Sequence, residues 1–291
     1  MELSALAFAA TALRVAIPLL LAALGELVAE RAGVLNIGIE GMMLSGAFAA
    51  FAVAAPTGSI PAGVAAAALA GSAGAALFAV FVIVRGADPI VTGTALNLLA
   101  LGATGTAYRL AFPPGASLPS SPSVAEGWTN PFPWGTLTLA AGVGLFLRWT
   151  RVGLSVRAAG ERAEAAHAQG VPVIPLRVCC TLFGGLCAGL AGAALVLWVS
   201  NTFVEGMTSG RGFIALSIVL FGAYRPLGLA AGALLFGAAS AVQFQLQALG
   251  LRIPYSLLLM SPYVLTLAVL ALFAGRARGP ADLARPFHPR S

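Results

Sequence analysis

Long apolar segments constrain this chain more than any motif does. Nine follow one another: Leu3 to Val28, Val34 to Ala55, Ile60 to Val84, Pro89 to Leu110, Trp134 to Trp149, Ile174 to Val199, Gly212 to Tyr224, Leu227 to Leu249 and Ser256 to Ala274. A helix needs about 20 apolar residues to cross the hydrocarbon of a bilayer, and its backbone must satisfy itself there. The expectation is an all-α polytopic membrane protein of roughly 8–10 transmembrane helices, in one domain spanning residues 1–291. Two segments, Trp134 to Trp149 and Gly212 to Tyr224, are short, so tilted, re-entrant or broken helices are expected among them. Only 9% of the residues are charged and the mean hydropathy is +0.94, where a soluble domain carries about 25% charge. No charged leader with a short apolar core and cleavage site separates from the first segment, so no removable signal peptide is expected.

The net charge is +6 and its positive side is all arginine, for the chain contains no lysine. With the segments alternating across a membrane, Arg31, Arg85, Arg148, Arg151, Arg157, Arg162, Arg177, Arg225, Arg276, Arg278, Arg285 and Arg290 fall on one side. Arg14, Arg109, Arg211 and Arg252 fall elsewhere. The excess marks the first side as cytoplasmic, with the tail 276–291 inside, and it accounts for the basic balance without nucleic acid. A P-loop needs a lysine to reach phosphates; if ATP drives this chain, another subunit hydrolyses it. Cys179, Cys180 and Cys187 sit in one apolar segment with no histidine set nearby, and read as small buried hydrophobes rather than metal ligands.

Within the apolar pattern, Arg31 to Phe48 (RAGVLNIGIEGMMLSGAF) is exceptional. It opens on the Glu30/Arg31 pair and carries Asn36, Glu40, Gly33, Gly38, Gly41 and Gly46. Glycine costs a helix about 1 kcal/mol relative to alanine, and a charge at the bilayer centre costs about 3 kcal/mol or more. Such a segment belongs where backbone is broken or tightly packed against protein or water, which points to a transport path. Glu40 is a functional candidate by its location, or an internal hydrogen-bond partner bridging the broken helix to a neighbour. Asn36 and Asn97, the latter following Thr92 and Thr94 in a segment opened by Asp88-Pro89, suit hydroxyls or a base edge in transit. Equally, they suit capping of broken helices or bonds between helices. Gly185 and Gly189, Ala188 and Gly192, and Gly228 and Gly232 have the four-residue spacing that lets helices approach closely. His167 and His288 lie outside the segments, so no intramembrane catalytic group can be assembled, and an enzyme is not expected.

Two connections stand out. Ala111 to Pro133 is rich in Pro, Ser and Gly and cannot hold a long helix; it reads as an outer loop or a docking surface. Between Arg151 and Pro175 the chain reads RVGLSVRAAGERAEAAHAQGVPVIP. Ser155 is the expected N-cap, Arg157 and Glu161 an i, i+4 pair, and Gly170 with Pro172 the stop. A short alanine-rich helix of this kind suits a groove on a soluble partner.

Four stretches carry a resemblance: Pro18 to Phe48, VTGTALNLLALG (Val91 to Gly102), AAGERAEAAHAQGV (Ala158 to Val171) and GRGFIALSIVLFGAYRPLGLAAGALLFG (Gly210 to Gly237). The chain resembles permease subunits of bacterial ABC importers in the ribose and branched-chain amino acid permease superfamily, and is most similar to the purine nucleoside, or simple-sugar, branch. The loop departs from that pattern at Arg162 and Ala163, where Asn-Pro is usual, while Ala165, Ala166 and Gly170 match. The resemblance implies an inner-membrane permease moving a nucleoside, or a pentose or hexose such as ribose or galactose, by alternating access. It implies a second, longer permease, an ABC ATPase subunit that holds the ATP and Mg, and an extracytoplasmic binding lipoprotein; this chain holds no cofactor. Residues 153–170 then correspond to the coupling helix, with Gly153, Arg157, Gly160, Glu161, Ala165, Ala166 and Gly170 at the ATPase contact. A stand-alone transporter driven by protons or sodium through Glu40 is the alternative from another class.

Overall fold

A computed structural model describes residues 5–112, 121–124, 129–248 and 279–287, with residues 260, 264, 268 and 271. Among these the chain is all helical, in the order α1 (Ala5–Arg31), α2 (Ile39–Thr57), α3 (Ile60–Ala79), α4 (Pro89–Ala111), α5 (Pro131–Trp149), α6 (Arg151–Glu161), α7 (Ala163–Ala168), α8 (Val173–Ala194), α9 (Arg211–Phe221) and α10 (Pro226–Ala248). Six helical runs among the described residues are long and apolar enough to cross a membrane. Two of these runs are lengthened by π-helical turns, Val80–Val84 after α3 and Leu195–Ser200 after α8.

Eight of the nine expected segments coincide with helices, and the ninth, Ser256 to Ala274, lies outside the described residues apart from its four isolated positions. The two short ones behave differently. The segment read from Trp134 starts earlier, because Pro131 occupies the first helical turn and the Asn130 side chain accepts the Phe132 N–H. Its helix α5 then bends by 77° into α6. Helix α9 remains short at 11 residues; the turns of residues 201–210 stand in place of its missing half. Asp88 opens α4 as its sequence suggests, its carboxylate accepting the Ile90 and Val91 N–H groups.

Helices α1 and α8 form the centre. The best apolar window of the α8 run is 72% buried, against 17% for α4, which leaves most of α4 facing outward. The centre is dense because glycine lets backbones meet. A Cβ on Gly71 of α3 would collide with the Gly185 carbonyl of α8, and one on Gly46 of α2 would strike the backbone of Gly189. One helix thus carries close contacts on two sides, which side chains of ordinary size would forbid. At the other end a cluster of Phe51, Phe203, Tyr108 and Phe112 closes the bundle, with ring centroids 5.2–6.1 Å apart. Of the expected outer loop, residues 121–124 lie along the end of the α8 run: Ser121 N–H donates to Asn201 O and Val124 N–H to Leu197 O.

Candidate functional site

The chain is broken between α1 and α2, over Ala32 to Gly38, and polar groups gather there. Gly33 takes a φ of +90°, a conformation that reverses the path at the end of α1 and is strained for residues with a Cβ. The Asn36 N–H donates to Glu26 Oε1 at 2.9 Å, and the Gly38 N–H to Asn36 Oδ1 at 3.1 Å. Asn97 reaches in from α4 with both ends of its amide: Nδ2 donates to Ile37 O at 2.9 Å and Oδ1 accepts the Gly41 N–H at 2.8 Å. A buried amide or carbonyl without a partner costs about 1–3 kcal/mol, so these bonds make the break tolerable. A Cβ on Gly93 would lie 2.7 Å from Gly38 N, so α4 can approach the break only because it has glycine there.

Glu40 closes the opposite side. Its carboxylate accepts the Gly210 N–H at 2.7 Å and the Gly212 N–H at 2.6 Å. These amides belong to the first turn of α9, whose free N–H groups and dipole favour an anion. A carboxylate on one interrupted helix therefore caps another. Asn36 is fully buried, and Glu26, fully buried too, leaves Oε2 without a hydrogen-bond partner. Thr92 is half-buried on α4, while Thr94 is exposed and donates to Ile90 O. The expected path residues thus divide. Asn36, Glu40 and Asn97 converge on the break, and Thr92 and Thr94 stay on α4 outside that network.

Below the break stands the arm formed by α6 and α7. Three details depart from the sequence reading. The N-cap of α6 is Thr150, whose hydroxyl accepts the Gly153 N–H at 2.9 Å; Ser155 lies inside the helix and donates to Arg151 O. The expected single helix is two, interrupted at the extended Arg162 (φ −150°, ψ 94°). Ala166, expected at an ATPase contact, is 5% exposed and packs with Ala163 and Phe287 of this chain. Gly170, with φ +84° and open space around it, ends the arm as expected. Gly153 and Gly160 are contact points with the bundle: a Cβ on Gly153 would collide with the Phe146 carbonyl, and one on Gly160 with the Arg31 carbonyl. Arg157 is half-buried, whereas Glu161, Ala165 and most of the outer face of α7 are exposed.

Charged residues that close the same end lock α1 to the loop after α9. Arg31 Nη2 donates to Tyr224 O at 2.8 Å, and its guanidinium lies 5.3 Å from the centre of the Tyr224 ring. At the far end Arg109 of α4 forms two hydrogen bonds to Glu205, at 2.8 and 2.7 Å, which hold that carboxyl below its usual range. Among the described residues no group of three or more His, Cys, Asp or Glu could hold a metal; all three cysteines are free.

The family described as branched-chain amino acid transport system / permease component matches residues 8–272. This chain belongs to that permease family. Its members are transporter components rather than enzymes, and the permease is accordingly a multi-pass membrane protein of an ABC transport system. It is 34% identical to the guanosine ABC transporter permease NupQ of Bacillus subtilis, over 94% of this chain and 93% of NupQ. It is 33% identical to the nucleoside ABC transporter permease NupC of Lactococcus lactis, over 90% of both. TsgC13 of Haloferax volcanii, provisionally named a glucose ABC transporter permease, is 40% identical over 81% of this chain and 76% of its own length. No solved structure matches the permease.

Sequence reasoning located the break and offered Asn36, Asn97 and Glu40 as groups that could hold it, but it missed two buried charged residues beside it. Arg177, counted only as a topological charge, is 4% exposed and donates to three backbone carbonyls. An arginine four residues into an apolar run was the available signal, since such a group must find buried acceptors. Glu26 likewise stood in plain view as an acid within the first segment. Its partner is the Asn36 amide, ten residues on.

Proposed function

We propose that this permease is the shorter of two membrane subunits of an ATP-driven importer, and that it carries a nucleoside, purine-type in the first instance. The observation that carries the reading is end-to-end similarity to two permeases named for guanosine and nucleosides, at 33–34% identity. A partner ATPase holds ATP and Mg and moves the arm, residues 153–170; an extracytoplasmic lipoprotein supplies substrate affinity. Asn36 and Asn97 would meet a neutral substrate only by exchanging bonds they now give to the break, which suits a weak, transient site. The docking of the tail beside the arm supports a cytoplasmic C-terminus, since Asp282 and Gly160 are hydrogen-bonded directly. The glucose permease relative, at higher identity over less of its own length, favours a sugar as the second reading.

The test is uptake in liposomes that hold the permease with its ATPase, second permease and binding lipoprotein. Labelled guanosine should accumulate only with internal ATP, and unlabelled adenosine should compete while glucose and ribose should not. Accumulation of a sugar instead would establish the second reading. Uptake by this chain alone on a proton or sodium gradient would refute both.

A further inference from the structure

The segment Gly279–Phe287 hydrogen-bonds to both the arm and the break, which are far apart along the chain. Its Asp282 N–H donates to Gly160 O in α6 at 2.9 Å, and its Ala284 N–H donates to Gly33 O in the break at 3.1 Å. Asp282 Oδ2 accepts the Ala163 N–H at 2.8 Å, capping α7, for which Arg162 provides no side-chain cap. Phe287, 9% exposed, fills the space between the arm and α8 and packs with Ala159, Ala163, Ala166 and Val173. The His167 ring meets it edge-on at 5.4 Å. A small cavity of about 30 Å³ lies between this segment and Val82, Ile83 and Pro89.

Arg177 stands where these parts meet. Its Nε donates to Ala32 O at 3.0 Å, Nη1 to Arg285 O at 3.0 Å and Nη2 to Ala159 O at 3.4 Å. Those carbonyls belong to the break, the tail segment and the arm respectively. A guanidinium presents its donors as a fixed planar fork, so it sets the three acceptors in one plane relative to one another. Ammonium has no such geometry. Any displacement of the arm alone would have to abandon three bonds together, from Arg177 Nη2 to Ala159 O, from the Asp282 N–H to Gly160 O and from the Ala163 N–H to Asp282 Oδ2, each costly to leave unmade. Moving the three parts as one body breaks none of them.

We infer that Gly279–Phe287 is a strap joining the α6–α7 arm to the α1–α2 break, with Arg177 as the positioning residue through which a push on the arm reaches Ala32–Gly38. The inference rests on the arm being the ATPase contact, as proposed above. It assigns the tail a part in coupling, beyond its value as a packed end.

The test uses the complete transporter in liposomes with Phe287→Ala, Phe287→Leu and Arg177→Lys, and two readouts. The first is nucleoside moved per ATP hydrolysed. The second is hydrogen exchange at the amides of residues 33–38 and 163–166. Phe287→Ala and Arg177→Lys should lower the ratio on the order of tenfold while ATP hydrolysis continues, and should speed exchange at both places together. Phe287→Leu, which refills the apolar seat, should restore both. A wild-type ratio in Phe287→Ala, or faster exchange in the arm with an unchanged break, overturns the strap. Should Phe287→Ala fail to fold, Asp282→Asn is expected to give a smaller change of the same sign in both readouts, and no change overturns the inference. Hydrogen exchange needs no transport, so failure of the importer reading is seen separately, as wild-type complex that takes up nothing with ATP.

Discussion

Replacing Glu40 by glutamine separates a carboxylate that frames the bundle from one that carries an ion. The native group accepts two N–H bonds, from Gly210 and Gly212, at 2.7 and 2.6 Å. Glutamine keeps one acceptor oxygen and turns an NH₂ toward the second amide, so one bond is lost and two donors face each other. Bonds to charged acceptors are worth about 1.5–3 kcal/mol, and an anion at a helix N-terminus about 0.3–1 kcal/mol more. Glu40 is half-buried, so water offsets part of this, and a net loss of about 2 kcal/mol follows. Denaturant titration of the purified complex in nanodiscs measures it, alongside ATP-driven uptake per folded complex. The expected result is a destabilised permease whose remaining uptake still depends on ATP and is indifferent to a proton or sodium gradient. Unchanged stability with uptake abolished would refute the framing role and return Glu40 to the transport path.

Two further substitutions test the packing and the arm. Gly189→Ala should destabilise by about 1–3 kcal/mol, because its Cβ would strike the Ala67 carbonyl and crowd Gly71. Gly135→Ala, which meets nothing within 4 Å, should be neutral or gain up to about 1 kcal/mol in helix propensity; the same denaturant titration checks both. In the arm, Ala165→Arg on the exposed face should leave the amount of folded permease unchanged and weaken co-purification of the ATPase. Ala166→Arg, directed into the seat of Phe287, should instead lower the yield of folded protein, read by size-exclusion recovery.

The spans were legible because about 20 apolar residues leave a chain few alternatives, and the start of α4 because Asp88-Pro89 both caps and presets the first turn. The break was legible for a different reason. Asn36, Glu40 and the glycines contradict an uninterrupted lipid-facing helix, and a local contradiction can be read locally. The course of the arm was not, since two hydroxyls compete for the N-cap. Thr150 wins over Ser155 because Gly153, lacking a Cβ, lets α6 fold back under Phe146. That Arg177 needs buried acceptors is legible from its place in an apolar run, but which acceptors it finds, and the strap, are not. Two of the three acceptors of Arg177 lie 145 and 108 residues away along the chain, at Ala32 and Arg285, and nothing in the apolar period records which carbonyls three-dimensional packing leaves free.

The contacts at the break also predict how it responds when two are removed together. Asn97 holds the Gly41 amide and Glu40 holds the start of α9, so adjacent residues of one helical turn are tied to two different helices. Either tie alone fixes that turn on one side, and losing it frees the turn to relax away from the other. The single costs therefore cannot be independent. Asn97→Leu should destabilise by about 1–3 kcal/mol, leaving the Gly41 N–H and the Ile37 carbonyl unpaired. Combined with Glu40→Gln, the total should fall short of the sum by about 1 kcal/mol, within the range for residues sharing a network. The four proteins of this double-mutant cycle, unfolded by denaturant under one condition, give the interaction directly. Strict additivity would mean that the first turn of α2 is held by its own helix, and that neither side chain is what keeps the break in place.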